Sequence, residues 1–131
     1  MTQSCSAEIS LRVPGDQAYA LVIRTMLGGV AILKDLDMDA MDDLRTAADE
    51  ACDSLLNQGA LVKELELTVR DEGNVLTVSL EADMDEYAAG TAAGDAEVTR
   101  AVLETLIPRV ALSMTGEGLI RRIDLTLPKA V

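Results

Sequence analysis

Asp42-Asp43-Leu44-Arg45-Thr46-Ala47-Ala48-Asp49-Glu50-Ala51-Cys52-Asp53-Ser54-Leu55-Leu56-Asn57-Gln58-Gly59 is the stretch on which the fold of this chain turns. Met41, Leu44, Ala47, Ala48, Ala51, Cys52, Leu55 and Leu56 recur at three- and four-residue spacing, which predicts a helix with one buried face. Glu50 flanks that stripe, and Ser54 lies one helical turn further on the same side. A carboxylate in that position is either a solvated flank or a placed catalytic group, and spacing leaves both readings open.

Upstream of this helix, Ala7 to Val13 alternates, with Ile9, Leu11 and Val13 facing one way and Glu8, Ser10 and Arg12 the other. The pattern predicts a half-buried strand closed by Pro14-Gly15. Asp16 can cap a second helix running to about Lys34, with Ala18, Leu21, Val22, Thr25, Val30 and Ala31 as its inner face. The Gly28-Gly29 pair inside it costs about 1 kcal/mol per glycine relative to alanine, so close packing against a neighbour is expected there. Asp35, Asp37 and Asp39 have the alternation of a calcium loop. Ala40 and Thr46 nevertheless stand where an EF-hand needs its glycine and its bidentate glutamate. These acids instead suit the N-terminus of the central helix, where the macrodipole favours negative charge.

Downstream, Val62 to Val69 and Val75 to Leu80 alternate around the turn Asp71-Glu72-Gly73-Asn74 and predict a hairpin. Glu81 to Ala96, rich in Ala, Gly and Asp, has the composition of a mobile loop. A short helix from about Ala96 to Leu106, stopped by Pro108, is followed by strands at Arg109–Met114 and Ile120–Leu127 around Thr115-Gly116-Glu117-Gly118. Hairpins segregated from helices predict a single α+β domain over 1–131. Its form is a two-layer sandwich with a mostly antiparallel mixed sheet and helices on one face.

Composition limits what such a domain can do. The chain has 131 residues, no Trp, no Phe and two Tyr, so its core must be aliphatic. There is no histidine, which removes Ser-His and Cys-His nucleophile systems and His-ligated zinc. A net charge of −12 argues against direct contact with nucleic-acid phosphates and suits a basic protein partner. Cys5 and Cys52 make no disulfide framework. No window approaches the roughly 18 apolar residues of a membrane span, and Met1-Thr2-Gln3-Ser4 opens no secretory signal. A cytoplasmic location is the expectation.

Four segments resemble the bacterial anti-sigma-factor serine kinases, a branch of the histidine-kinase-like ATPases (Bergerat fold). They are Ile9-Ser10-Leu11-Arg12-Val13-Pro14-Gly15 with the helix after it, Asp43 to Cys52, the Leu65 to Leu80 hairpin, and Leu103 to Lys129. The resemblance implies ATP and magnesium as cofactors, and a sigma factor or an anti-sigma antagonist as partner. It also implies a homodimer through the first strand and helix. Glu50 matches the family's general base, and would hold that role if the chain phosphorylates. Ser54 stands where the family's magnesium-binding Asn belongs and could reach the ion only through a water. Gln58 stands at the end of that box, where the family usually has His. Arg24 matches the helix arginine that contacts partners.

The other nucleotide motifs depart from the family. Ala82 replaces the Asp that reads adenine, unless the register slips and Asp83 serves. The family's glycines are replaced by Met84, Asp85 and Glu86, which would crowd and repel a polyphosphate. Glu97-Val98-Thr99 replaces the Gly-x-Gly near the phosphates, putting a carboxylate in the anion site of a helix N-terminus. The expected function is therefore an anti-sigma-like, partner-switching regulator that binds proteins with a lost or weakened ATP site. An active serine protein kinase and a structural or oligomerisation unit are the alternatives.

Overall fold

The computed structural model describes residues 8–85 and 96–129. Its order is β1 (Ile9–Pro14), a 3-10 turn (Gln17–Tyr19), α1 (Ala20–Leu33), α2 (Met38–Leu56), β2 (Leu61–Asp71), β3 (Val75–Asp85), α3 (Ala96–Glu104), β4 (Arg109–Met114) and β5 (Ile120–Pro128). The strands form one five-stranded sheet in the order β1-β2-β3-β5-β4, and every neighbouring pair is antiparallel. The two-layer α+β arrangement is as expected, and among the described strands the sheet carries no parallel pair.

Register explains the two layers. Leu11, Leu67, Leu80, Ile123 and Leu112 stand opposite one another across the five strands. Because side chains alternate along a strand, this row and the parallel row Ile9, Val69, Val78, Leu125 and Val110 share one face. The helices bury their apolar stripes in the same core. The intervening row, Arg12, Glu66, Glu81 and Arg122, lies on the open face and stays polar. α2 inserts Leu44, Ala47, Ala48, Ala51, Cys52 and Leu55, all fully buried, as its spacing predicts. Each fully buried Leu adds about 1.5–3 kcal/mol relative to leaving it exposed.

α1 is phased differently from the expectation. Its buried face is Ala20, Ile23, Leu27, Val30 and Ala31, while Leu21 is 66% exposed and Val22 44%. Ala18 and Thr25 are exposed as well. The helix is apolar around most of its circumference, so the sheet and α2 choose the face. Asp16 does accept from the Ala18 amide, at 2.9 Å, but it caps the 3-10 turn that leads into α1.

The close packing expected at Gly28-Gly29 is absent. A Cβ on Gly28 would meet only Arg45 Cδ at 3.9 Å, and one on Gly29 would meet nothing within 4 Å. With no steric penalty to set against the helix-propensity gain, Gly29→Ala is expected to raise stability by roughly 1 kcal/mol. Chemical denaturation checks this; a loss of stability would mean that some neighbour occupies that face.

α1 ends where Asp35 takes a left-handed conformation (φ 59°) and the Leu36 amide donates back to the Ala31 carbonyl at 2.9 Å. That turn delivers Asp37, whose side chain accepts from the Ala40 amide at 2.8 Å and caps α2 as expected. β3 runs on through Glu81–Asp85, which composition assigned to a loop; the rest of that segment, 86–95, lies outside the described residues, as does Cys5. α3 ends at Glu104 rather than Leu106.

One ion cluster ties the periphery together. Lys34 Nζ lies 2.8 Å from Glu8 and 2.9 Å from Asp71, and Lys129 Nζ lies 2.7 Å from Asp71. The hydrogen bonds from Lys129 and Lys34 hold the Asp71 carboxyl well below the usual carboxylate range, and those to Glu8 and Asp71 raise Lys34. Among the described residues no helix is long and apolar enough to cross a membrane.

Candidate functional site

α2 carries Glu50 and Ser54 one turn apart, as its periodicity requires, and both are half-buried. Glu50 has no polar partner among the described residues. Ser54 has one: its Oγ lies 3.1 Å from Thr99 Oγ1 on α3. Thr99 is itself only 5% exposed, so two buried hydroxyls satisfy each other where the Asn and the second phosphate-side Gly of the resembled family would stand. The third motif is thus folded onto the first by a side-chain hydrogen bond.

Gln58 closes the far end of the same helix. Its Oε1 accepts from the Ile120 amide at 2.7 Å, and its Nε2 donates to the Ile120 carbonyl, also at 2.7 Å. Pairing of β3 with β5 stops at Glu81–Arg122; two steps further, the same register would set Asp83 against Ile120. The Gln58 amide takes the place of that missing strand partner, mimicking a peptide group with one acceptor and one donor. Met84, with its sulfur 3.9 Å from Gln58 Nε2, fills the space beside it.

The remaining predicted positions do not converge on Glu50 and Ser54. Ala82 is 3% exposed and points into the core opposite Leu65. Asp83 is exposed on the other face of the sheet, in a cleft shared with Arg12, Glu64, Glu66 and Glu81. A slip of one residue in a strand reverses the side chain, so Asp83 does not substitute for an inward carboxylate at Ala82. Glu97 lies exposed in the first turn of α3. Arg24 projects from α1 with its Nε 3.6 Å from Asp49 of α2, both half-exposed, which leaves the guanidinium available at the surface.

The donor set of an ATP–magnesium site is therefore not assembled among the described residues. The Ser54 hydroxyl is engaged, no carboxylate points inward beside it from β3, and no group of three or more Cys, Asp and Glu side chains is placed to hold a metal. Cys52 offers no nucleophile, since burial, with Asp49 and Asp53 adding, pushes its thiol up to about 12.

The part played by Thr99 and by Ile120 was not readable from local patterns. The signal available for Gln58 was a long polar residue at the end of the buried stripe, just before Gly59.

No protein-family model matches the chain. A search of known proteins does find a relative: the anti-sigma-F factor RsbW of Mycobacterium tuberculosis, in strains CDC 1551 / Oshkosh and ATCC 25618 / H37Rv. The match is 30% identical over 79 residues, which is 60% of this chain and 47% of the relative. The chain is similar to an anti-sigma factor. It spans about half the length of the curated relatives it matches.

Proposed function

We propose that this chain is an anti-sigma-type regulatory protein of a partner-switching system, acting in the cytoplasm by binding a protein partner rather than by transferring phosphate. The similarity to anti-sigma-F factor RsbW supports the regulatory class. The observation that carries the loss of chemistry is the Ser54–Thr99 hydrogen bond, which engages the hydroxyl that magnesium would need. An active serine kinase would require Ser54 released and Glu50 joined by an inward carboxylate and a close backbone approach to phosphate. Ala82 and the buried Thr99 side chain oppose both requirements.

Partner capture is assigned to α1. Its outer face exposes Leu21, Val22, Ile32 and Leu33 beside Arg24, and the helix contains no acidic residue although the chain carries −12 overall. Such a face suits a protein partner or the α1 of a second copy in a homodimer. Co-elution with the sigma-F-type factor of the same organism tests the assignment. Arg24→Glu is expected to weaken that complex at least tenfold, about 1.4 kcal/mol, with the circular-dichroism spectrum unchanged. Undiminished binding by this variant would remove α1 from the account.

A further inference from the structure

At the end of the molecule away from Glu50 and Ser54, a cleft of about 320 Å³ opens between the start of α2, the turn after α3 and the end of β5. Its floor is Leu36, Ile107 and Leu127, and Ala40 forms part of its wall. Asp37 and Asp43 stand at its edge, with Lys129. Asp43 and Ser54 are separated by eleven residues of one helix, about 16 Å at roughly 1.5 Å per residue, so this cleft is separate from the site described above. We propose that it is a docking site for a basic segment of a partner protein, which inserts one apolar side chain and sets its Lys or Arg residues against the two aspartates.

Charge decides the occupant. Lys129, the cation of the rim, has its ammonium committed to Asp71 at 2.7 and 2.9 Å. Arg45, the first cation after the acidic run, has its side chain against Gly28 of α1. Neither Asp37 nor Asp43 has an ion-pair partner among the described residues. The helix macrodipole accounts for acids in the first turn of α2, and its influence falls off beyond that turn. Asp43 lies past the first turn, half-buried at an apolar cleft, where a carboxylate without a counter-charge is unfavourable until a cation arrives. The apolar surface also continues outward, since Met38, next to Asp37, is 68% exposed. An apolar floor with an uncompensated negative rim complements an apolar anchor flanked by cations, and at 320 Å³ it is at the small end for an enclosed organic ligand.

The inference does not rest on the anti-sigma reading, and its test leaves α1 untouched. The probe is the peptide acetyl-Lys-Leu-Lys-Lys-Leu-Lys-amide, titrated into isotope-labelled protein and followed by amide chemical shifts. Shifts should centre on Ala40, Asp43, Ile107 and Leu127. The double variant Asp37→Asn/Asp43→Asn, in which Asn preserves the helix cap, should weaken binding at least tenfold. Glu64→Gln/Glu117→Gln removes the same charge elsewhere and should change affinity less than twofold. Replacing both leucines of the peptide by serine should also cost at least tenfold. The proposal is overturned if no shifts appear at millimolar peptide or if they spread over the whole acidic surface. It is equally overturned if the two double variants weaken binding alike, or if the serine peptide binds as well as the leucine one.

Discussion

Gln58→Leu is expected to lower the stability of this domain by roughly 2–6 kcal/mol, because it orphans two buried backbone groups at about 1–3 kcal/mol each. The leucine keeps the volume and apolar contacts of the side chain but can neither accept from the Ile120 amide nor donate to its carbonyl. Ile120 is only 3% exposed, so water cannot replace the lost partners without opening the structure. The loss should appear as a lower denaturation midpoint and as faster hydrogen exchange of the Ile120 amide. Hydrogen exchange separates this cause from general loosening, since amides in the centre of β2 and β3 should lose protection only in step with global stability. A midpoint close to the wild-type value would show that Ile120 finds other partners and that Gln58 does not stand in for a strand.

Gly15→Ala should be nearly as damaging, at about 2–3 kcal/mol, the upper part of the range for overpacking a closed site. A Cβ there would lie 2.2 Å from the Val62 carbonyl oxygen and 2.7 Å from its carbon. Both contacts are with backbone, at the irregularity in β2 between Val62 and Glu64, so no rotamer change relieves them. The end of β1 would have to leave the sheet and give up the hydrogen bond from the Gly15 amide to the Lys63 carbonyl, now 2.9 Å. Gly116→Ala is the matched control, because a Cβ on Gly116 meets nothing within 4 Å and should change stability by less than about 0.5 kcal/mol. If both variants unfold at the same denaturant concentration, the strand end is not held as described.

What the sequence revealed followed from how sharply each segment separates apolar from polar positions. α2 has a charged outer face, so its buried stripe from Leu44 to Leu55 could be phased without the structure. β2 alternates cleanly, and the turn at Gly73 (φ 90°) carries the Asp71–Gly73 hydrogen bond that its composition invites. α1 defeats the same method because residues such as Leu21 and Leu27 lie on opposite faces with nothing polar to distinguish them; tertiary packing makes the choice. The Gly28-Gly29 pair misled for a related reason, as propensity says what a glycine costs and nothing about what lies next to it.

The extension of β3 is a different failure. Glu81-Ala82-Asp83-Met84-Asp85 does alternate, but its acidic content outweighed its period of two, and the acids fall on the open face of the sheet. The candidate site was legible as far as one helix carries it, in Glu50, Ser54 and Gln58. Its long-range half, Thr99 meeting Ser54 across 45 residues and Ile120 meeting Gln58 across 62, depends on topology that no local pattern encodes.

The central claim is that this domain regulates by binding protein and no longer uses ATP. Calorimetric titration with ATP and ADP, with and without magnesium, tests it most directly. Two temperatures are needed, so that a vanishing binding enthalpy is not read as no binding. The account predicts no saturable heat at millimolar nucleotide under any of these conditions. Micromolar, magnesium-dependent binding that is lost in Ser54→Ala would contradict it and return Glu50 to the role of general base.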